Sequence, residues 1–421
     1  MHQLAPRPRR RRRATALAGA VLAALLLSAC GTHAVQVPWL NFGVRLPGDA
    51  PSPSGQAQAP PAGSPTAQAT APALSIEQFV PIAKRFVEQH RGLKFKTDVP
   101  VTLLDDAAFK EKLLGKSTST KTPSQQLTIA SKELKALHLI DKSVDLGAAT
   151  DALLGAGVSG FYDPKSKSLV VRGVSATPYV RQVLVHELTH AVQDQWFGID
   201  RPALDKANDE QASAFQAVYE GDAVRIEDEY HNAMTAAEKQ KADREAQGQG
   251  GGLPASTPQV LLELISFPYI VGPDFVRTLQ QAGGQAKVDD AFVHPPTTSA
   301  QLINVQRFLS GVAARPVATP KADATSFDTS VLGEFGLLLL LERTPGSSSS
   351  QAVRAGDLWG GDSYVAWDAG SIACVRDNVV ADSAADQPQL DAALGAWANG
   401  VAGTTFTAAR PGQPAQLTAC G

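Results

Sequence analysis

The segment Val183-Leu184-Val185-His186-Glu187-Leu188-Thr189-His190-Ala191-Val192 constrains this 421-residue chain more than any other part of it. Apolar residues surround two histidines and a glutamate, so a helix here must be buried. Its start is marked. Thr177 is a favourable N-cap, and Pro178 suits the first helical position. Residues i and i+4 share a helical face, which sets His186 and His190 side by side. Buried imidazoles need polar partners. A core helix with two hydrogen-bonded histidines and a salt-bridged glutamate would supply them. So would a metal ion. In an HExxH helix both histidines can ligate one Zn2+, and Glu187 can polarise the bound water and take its proton. Neutral imidazole and water suit zinc better than softer metals. The chain has eight histidines, so a chance HExxH is rare and the metal reading is favoured.

A site of this kind needs a third protein ligand and one open position. No third histidine follows at short spacing; Arg201 and Pro202 stand there. Glu220 is the candidate, in Ala217-Val218-Tyr219-Glu220-Gly221-Asp222-Ala223, 30 residues after His190. That is room for a loop and a returning helix. Ala217, Ala223 and Val224 give Glu220 an apolar face, where a carboxylate is costly unless paired or metal-bound. Asp222 and Asp194 are candidates to orient a ligand histidine. Glu227 and Glu229 lie in a charged stretch and read as solvated. A tetrahedral oxyanion would need a further donor, for which Tyr219, Tyr230, His231 and Tyr269 are candidates against ordinary packing.

The motif residues carry a family resemblance. His186-Glu187-Leu188-Thr189-His190-Ala191-Val192 resembles the active-site helix of thermolysin-type zincins, the gluzincins, whose third ligand is a glutamate on a following helix. The wider pattern is similar to a group of secreted or lipid-anchored bacterial zinc metallopeptidases. There, HELTHAxQDQ is followed by EGDA, as in residues 186–195 and 220–223 here. Phe267-Pro268-Tyr269, Pro295-Pro296-Thr297-Thr298-Ser299, Leu332-Gly333-Glu334-Phe335 and Trp359-Gly360-Gly361-Asp362 extend the likeness. It departs at Ala300-Gln301 and Asn304-Val305, where the group carries an acid and a His-Pro pair. The resemblance implies an α+β, mainly helical zincin-like fold with a small antiparallel sheet beside the HExxH helix. It implies zinc as cofactor and a peptide or protein substrate. By analogy the substrate lies along an edge strand, for which residues 169–172 are placed. A complete Glu187 favours an enzyme over a non-catalytic zinc-binding scaffold.

The first 30 residues read as an export signal: six arginines, an apolar run too short to span a bilayer, then Leu27-Ser28-Ala29-Cys30. Small residues before a cysteine resemble a bacterial lipobox. Removal of residues 1–29 would leave Cys30 lipidated on the outer face of the cytoplasmic membrane or in the cell envelope. Residues 30–74 then form a Pro/Ala/Ser-rich tether. The formal charge changes with this cut. The whole chain is at −3, but without the signal 32 bases face 41 acids, a net −9. An acidic protein is not built for nucleic acid. Of three cysteines, Cys374 and Cys420 remain. An exported compartment permits a disulfide between them, and two buried thiols are the alternative.

Residues 75–256 are expected to form the catalytic part. Residues 257–421 form a helical C-terminal part with terminal strands, in the same globular body. Helices are expected at 75–90, 107–114, 124–139, 178–196, 209–245, 257–283 (interrupted at Pro268 and Pro273), 328–343 and 387–397. Pro81 marks a separate first turn in the first of these. Strands are expected at 95–104, in a hairpin turning at 163–166, at 363–367 and around 372–375.

Overall fold

The computed structural model describes residues 74–114, 125–205, 208–249 and 256–421. The expected export signal, Cys30, the expected tether up to residue 73 and part of the glycine-rich stretch at 247–252 lie outside the described residues.

Helix α1 (Ile76–Arg91) begins at a reciprocal capping box. Ser75 accepts from the Gln78 amide, and the Gln78 side chain accepts from the Ser75 amide. The helix runs through Pro81, which is exposed, so no separate first turn forms. Strand β1 (Val101–Leu104) is shorter than the alternation predicts. The amides of Lys96 and Thr97 bond to the Gln195 side chain, which takes them out of any ladder. After α2 (Asp106–Leu114), α3 (Gln125–Ala136) and α4 (Leu146–Gly157) comes the expected hairpin of β2 (Gly160–Asp163) and β3 (Ser168–Arg172). The three-stranded sheet has the order β1-β3-β2, with β1 parallel to β3. It is therefore mixed, not antiparallel. Residues 169–172 occupy its centre with both edges paired, so they offer no free edge to a substrate.

Helix α5 (Pro178–Phe197) carries the HExxH segment and starts at Thr177, which accepts from the Val180 amide. After α6 (Pro202–Asp205), the single long helix expected at 209–245 is two, α7 (Asp209–Ala233) and α8 (Ala236–Gln249). Thr235 and Glu238 cap each other there and restart the helix. Helix α9 (Gln259–Val293) passes both Pro268 and Pro273 and breaks instead at Gly283 and Gly284. Gly284 takes a left-handed φ of 65°, open to glycine at no steric cost.

Two short helices, α10 (Ser299–Ile303) and α11 (Val305–Leu309), lead to β4 (Ser326–Ser330) and α12 (Gly333–Leu341). The expected helix at 328–343 thus opens as a strand, and its five leucines are buried. Helix α13 (Ser349–Gly356) precedes β5 (Trp359–Ala369) and β6 (Ile372–Ala381); α14 (Gln387–Gly400) precedes β7 (Thr404–Thr407) and β8 (Ala415–Cys420). These strands form an antiparallel sheet of order β4-β5-β6-β8-β7. The fold is α+β and mainly helical, and its larger sheet lies in the C-terminal half. Cys374 and Cys420 stand opposite each other on β6 and β8 and form a disulfide. One hydrophobic cluster runs through both halves of the chain.

Helices α7 and α9 touch backbone to backbone. A Cβ added to Gly221 would lie 2.2 Å from the Gly272 carbonyl, and one added to Gly272 would lie 2.3 Å from the Ala217 oxygen. Only glycine fits this crossing. Gly272→Ala is expected to lower the stability to chemical denaturation by about 1–3 kcal/mol by overpacking. An unchanged denaturation midpoint would show that the helices do not meet this closely.

Candidate metal centre

One helical turn brings His186 and His190 together on α5, with their Nε2 atoms 2.9 Å apart. Helix α7 lies alongside and supplies Glu220. Its Oε2 is 3.3 Å from His186 Nε2 and 3.2 Å from His190 Nε2. The three side chains are sealed from solvent. Their donor atoms lie within 4.8 Å of one another, the spacing of ligands around one cation.

The surroundings settle which ring nitrogens face inward. His186 Nδ1 is 2.8 Å from Glu227 Oε2, and His190 Nδ1 is 3.0 Å from Gln193 Oε1. Both neighbours are acceptors here. The Gln193 amide nitrogen donates to the Tyr219 carbonyl at 3.1 Å and to Asp222 at 3.0 Å, which turns its oxygen to His190. In its neutral form each imidazole therefore donates from Nδ1 and presents an Nε2 lone pair to the centre. Two lone pairs and a carboxylate pointed at one another could hold a cation between them. The donor set fits a divalent ion of zinc's class.

The electrostatics agree. Burial opposes a charge on His186, but the Glu220 and Glu227 carboxylates outweigh it and push the imidazole up to about 10. Burial likewise opposes charge on Glu220, but the two imidazoles hold it down to about 2. The pocket favours positive charge.

Glu187 is fully buried on α5 beside the first histidine. Strand β2 lies against it: a Cβ on Gly160 would be 3.3 Å from Glu187 Cγ. Tyr269, on α9, donates its hydroxyl to Glu220 Oε1 at 2.9 Å. Of the four tyrosine and histidine candidates it is the one that reaches a ligand carboxylate. Tyr219 packs edge-on against His190, with ring centroids 5.6 Å apart. Tyr230 packs against Phe79 and Phe86 of α1, and His231 pairs with Asp243 on α8.

Other expectations change. Asp194 touches no ligand histidine. It accepts from Tyr162 of β2, from Lys167 in the β2–β3 turn and from the Ile199 amide, and so ties the end of α5. Asp222 acts through Gln193. It is buried with Arg91 Nε at 2.5 Å and Arg225 at 2.9 Å. Burial would raise its carboxyl, but the two guanidinium groups keep it below its ordinary range. Glu227 is buried against His186 and is not solvated. A signal for it existed: seven residues after Glu220, it shares that residue's helical face. Gln193, three residues after His190, was legible in the same way.

No family model, no curated protein and no solved structure matches this chain. The likeness to gluzincins therefore rests on the motif residues themselves.

These contacts make the outer ring of the centre measurable. Gln193→Leu and Glu227→Gln are each expected to weaken Zn2+ binding by about 10–100-fold, read by titration against a chromophoric chelator, with circular dichroism unchanged. Affinities equal to the parent protein would remove both residues from the metal centre.

Proposed function

We propose that this chain is a zinc-dependent metallopeptidase anchored outside the cytoplasmic membrane. The observation that carries the reading is the convergence of His186, His190 and Glu220, backed by Glu227 and Gln193, with Glu187 next to the first histidine. A bound Zn2+ would supply Lewis acidity, acidifying a water and polarising a carbonyl. The protein's own residues divide the remaining work. His186, His190 and Glu220 hold the ion, and their outer partners fix the rings. Glu187 takes the proton of the attacking water on its carboxylate and returns it to the leaving amine nitrogen. Tyr269 holds Glu220 and brings a hydroxyl beside the ligands.

The burial of all three ligands favours a second reading, a non-catalytic zinc-binding envelope lipoprotein that serves as a scaffold. The presence of Glu187 favours the enzyme, because a scaffold has no use for a base. The test is zinc content together with cleavage of a mixed peptide library. The parent protein should bind about one zinc and cleave. Glu187→Gln should keep the zinc and lose about 10²–10⁴-fold in rate. Zinc without cleavage of any peptide would leave the scaffold, and a parent protein without zinc would sink both readings.

The signal and lipobox supply the rest of the proposal. Residues 1–29 direct export, and the lipid on Cys30 holds the mature acidic chain to the membrane. Cys30→Ala should move the protein from the membrane fraction to the soluble fraction. Retention in the membrane would overturn lipid anchoring at this cysteine.

A further inference from the structure

The larger sheet turns one strongly acidic face towards the helices. Positions 362, 364 and 366 of β5 alternate onto a single face. Asp377 of β6 stands opposite Tyr364, and Asp328 of β4 stands opposite Ala366, so all three aspartates share it. Glu133 of α3, Asp209 and Glu210 of α7, and Glu334 of α12 close over this region. All seven acids are buried.

Two pairs of these acids are in direct contact. Asp362 already accepts from the Leu332 amide at 2.7 Å, the Gly333 amide at 3.0 Å and the Trp359 indole at 2.7 Å. Its carboxyl also faces that of Asp377. Carboxylates only accept, so one of the two must carry a proton. Asp362, met by three N–H donors, is the ionised member, and Asp377 donates. Glu133 accepts from the Tyr364 hydroxyl at 3.3 Å on Oε1 and contacts Asp328. Its Oε2 meets no fixed donor, as expected of an oxygen that itself carries the hydrogen.

The neighbours reinforce this. Asp209 and Asp328 face both Glu133 and Tyr364, and Glu210 faces Asp362. A third pair, Glu334 with Asp357, lies nearer the surface, where Arg307 faces it. Burial first, then the adjoining carboxylates, raise Glu133 and Asp377 well above the ordinary range. Burial also pushes Glu210 up to about 8 against the Ser299 amide and hydroxyl that donate to it.

We propose that this interface is a proton-holding core, which makes the folded body most stable in mildly acidic surroundings. In the unfolded chain such carboxyls ionise near their ordinary values of 4.5 and 3.8. The folded chain keeps their protons to higher pH. Between these limits it binds more protons than the unfolded chain, so stability falls as pH rises. The core is independent of any ion at His186 and His190.

The test is the melting temperature of the parent protein and of Asp377→Asn between about pH 5.5 and about pH 8. The asparagine keeps a donor for Asp362 and cannot ionise. The parent should lose roughly 5 °C or more across this range, and the variant should lose less and melt higher than the parent at the alkaline end. The difference between the two proteins cancels any contribution from the metal centre. A parent that does not lose stability with rising pH, or a variant with an undiminished pH slope, overturns the proposal. If Asp377→Asn does not fold, the proton balance of the parent decides. Unfolding near neutral pH should release about three protons per chain, from Glu133, Asp377 and Glu210, and no release or net uptake overturns it.

Discussion

Glu220, Asp222 and Glu227 bring three carboxylates of one helix into the interior, and the surrounding structure is arranged to satisfy them. An unpaired buried charge costs several kcal/mol, so each needs its own answer. Glu220 meets two imidazoles and the Tyr269 hydroxyl, and Glu227 meets a third ring nitrogen. Asp222 is answered from a distance in sequence by Arg91, a guanidinium with no solvent exposure at the end of α1. Arg91 reaches onward to Asp289 at 2.7 Å and so joins α1, α7 and α9 around one buried ion pair. This explains why a helix with no ligand of its own is packed into the centre. It also explains the glycine crossing. Without close approach at Gly221 and Gly272, Tyr269 would stand too far from Glu220 to donate to it.

The two histidines of the candidate centre are supported unequally, and the difference is chemical. Glu227 places a carboxylate behind His186, whereas Gln193 places a neutral amide behind His190. A carboxylate both orients an imidazole and raises its basicity; an amide mainly orients it. His186 is therefore the stronger donor of the pair. Gln193 is held by two acceptors, and Asp222 behind it is held by two guanidinium groups.

Much of this centre was legible in the sequence because helical spacing is a local property. His186, His190 and Glu220 needed only the period of 3.6 residues and an apolar neighbourhood. Glu227 was misread because charge density around it suggested solvent, and α1 and α8 cover that stretch only in the tertiary structure. Arg91 was invisible for the same reason: its partner lies on a helix far along the chain. In the fold, local caps and turns were read well, as at Ser75, Thr177 and the β2–β3 hairpin. Prolines misled. Pro81, Pro268 and Pro273 each forfeit one backbone bond, but burial of the surrounding faces keeps α1 and α9 continuous. The strands β7 and β8 went unseen because they are short and gain their stability from pairing with β6 and from the disulfide, neither of which is local.

Helix α7 shows why a count of acids describes this protein poorly. Its first turn carries Asp209 and Glu210 into the acidic face of the large sheet; its middle carries Glu220, Asp222 and Glu227 into the candidate metal centre. Asp and Glu in a first turn are favoured by the helix dipole, so burying the leading pair is eased at the point where it is most needed. The same helix thus joins two interiors with opposite demands. One presents lone pairs that could hold a cation, and the other stacks carboxyl against carboxyl and requires protons. A net charge of −9 for the chain without residues 1–29 treats all these groups as solvated anions. Several are neutralised inside the fold, so the field felt by an approaching partner is weaker than the count implies.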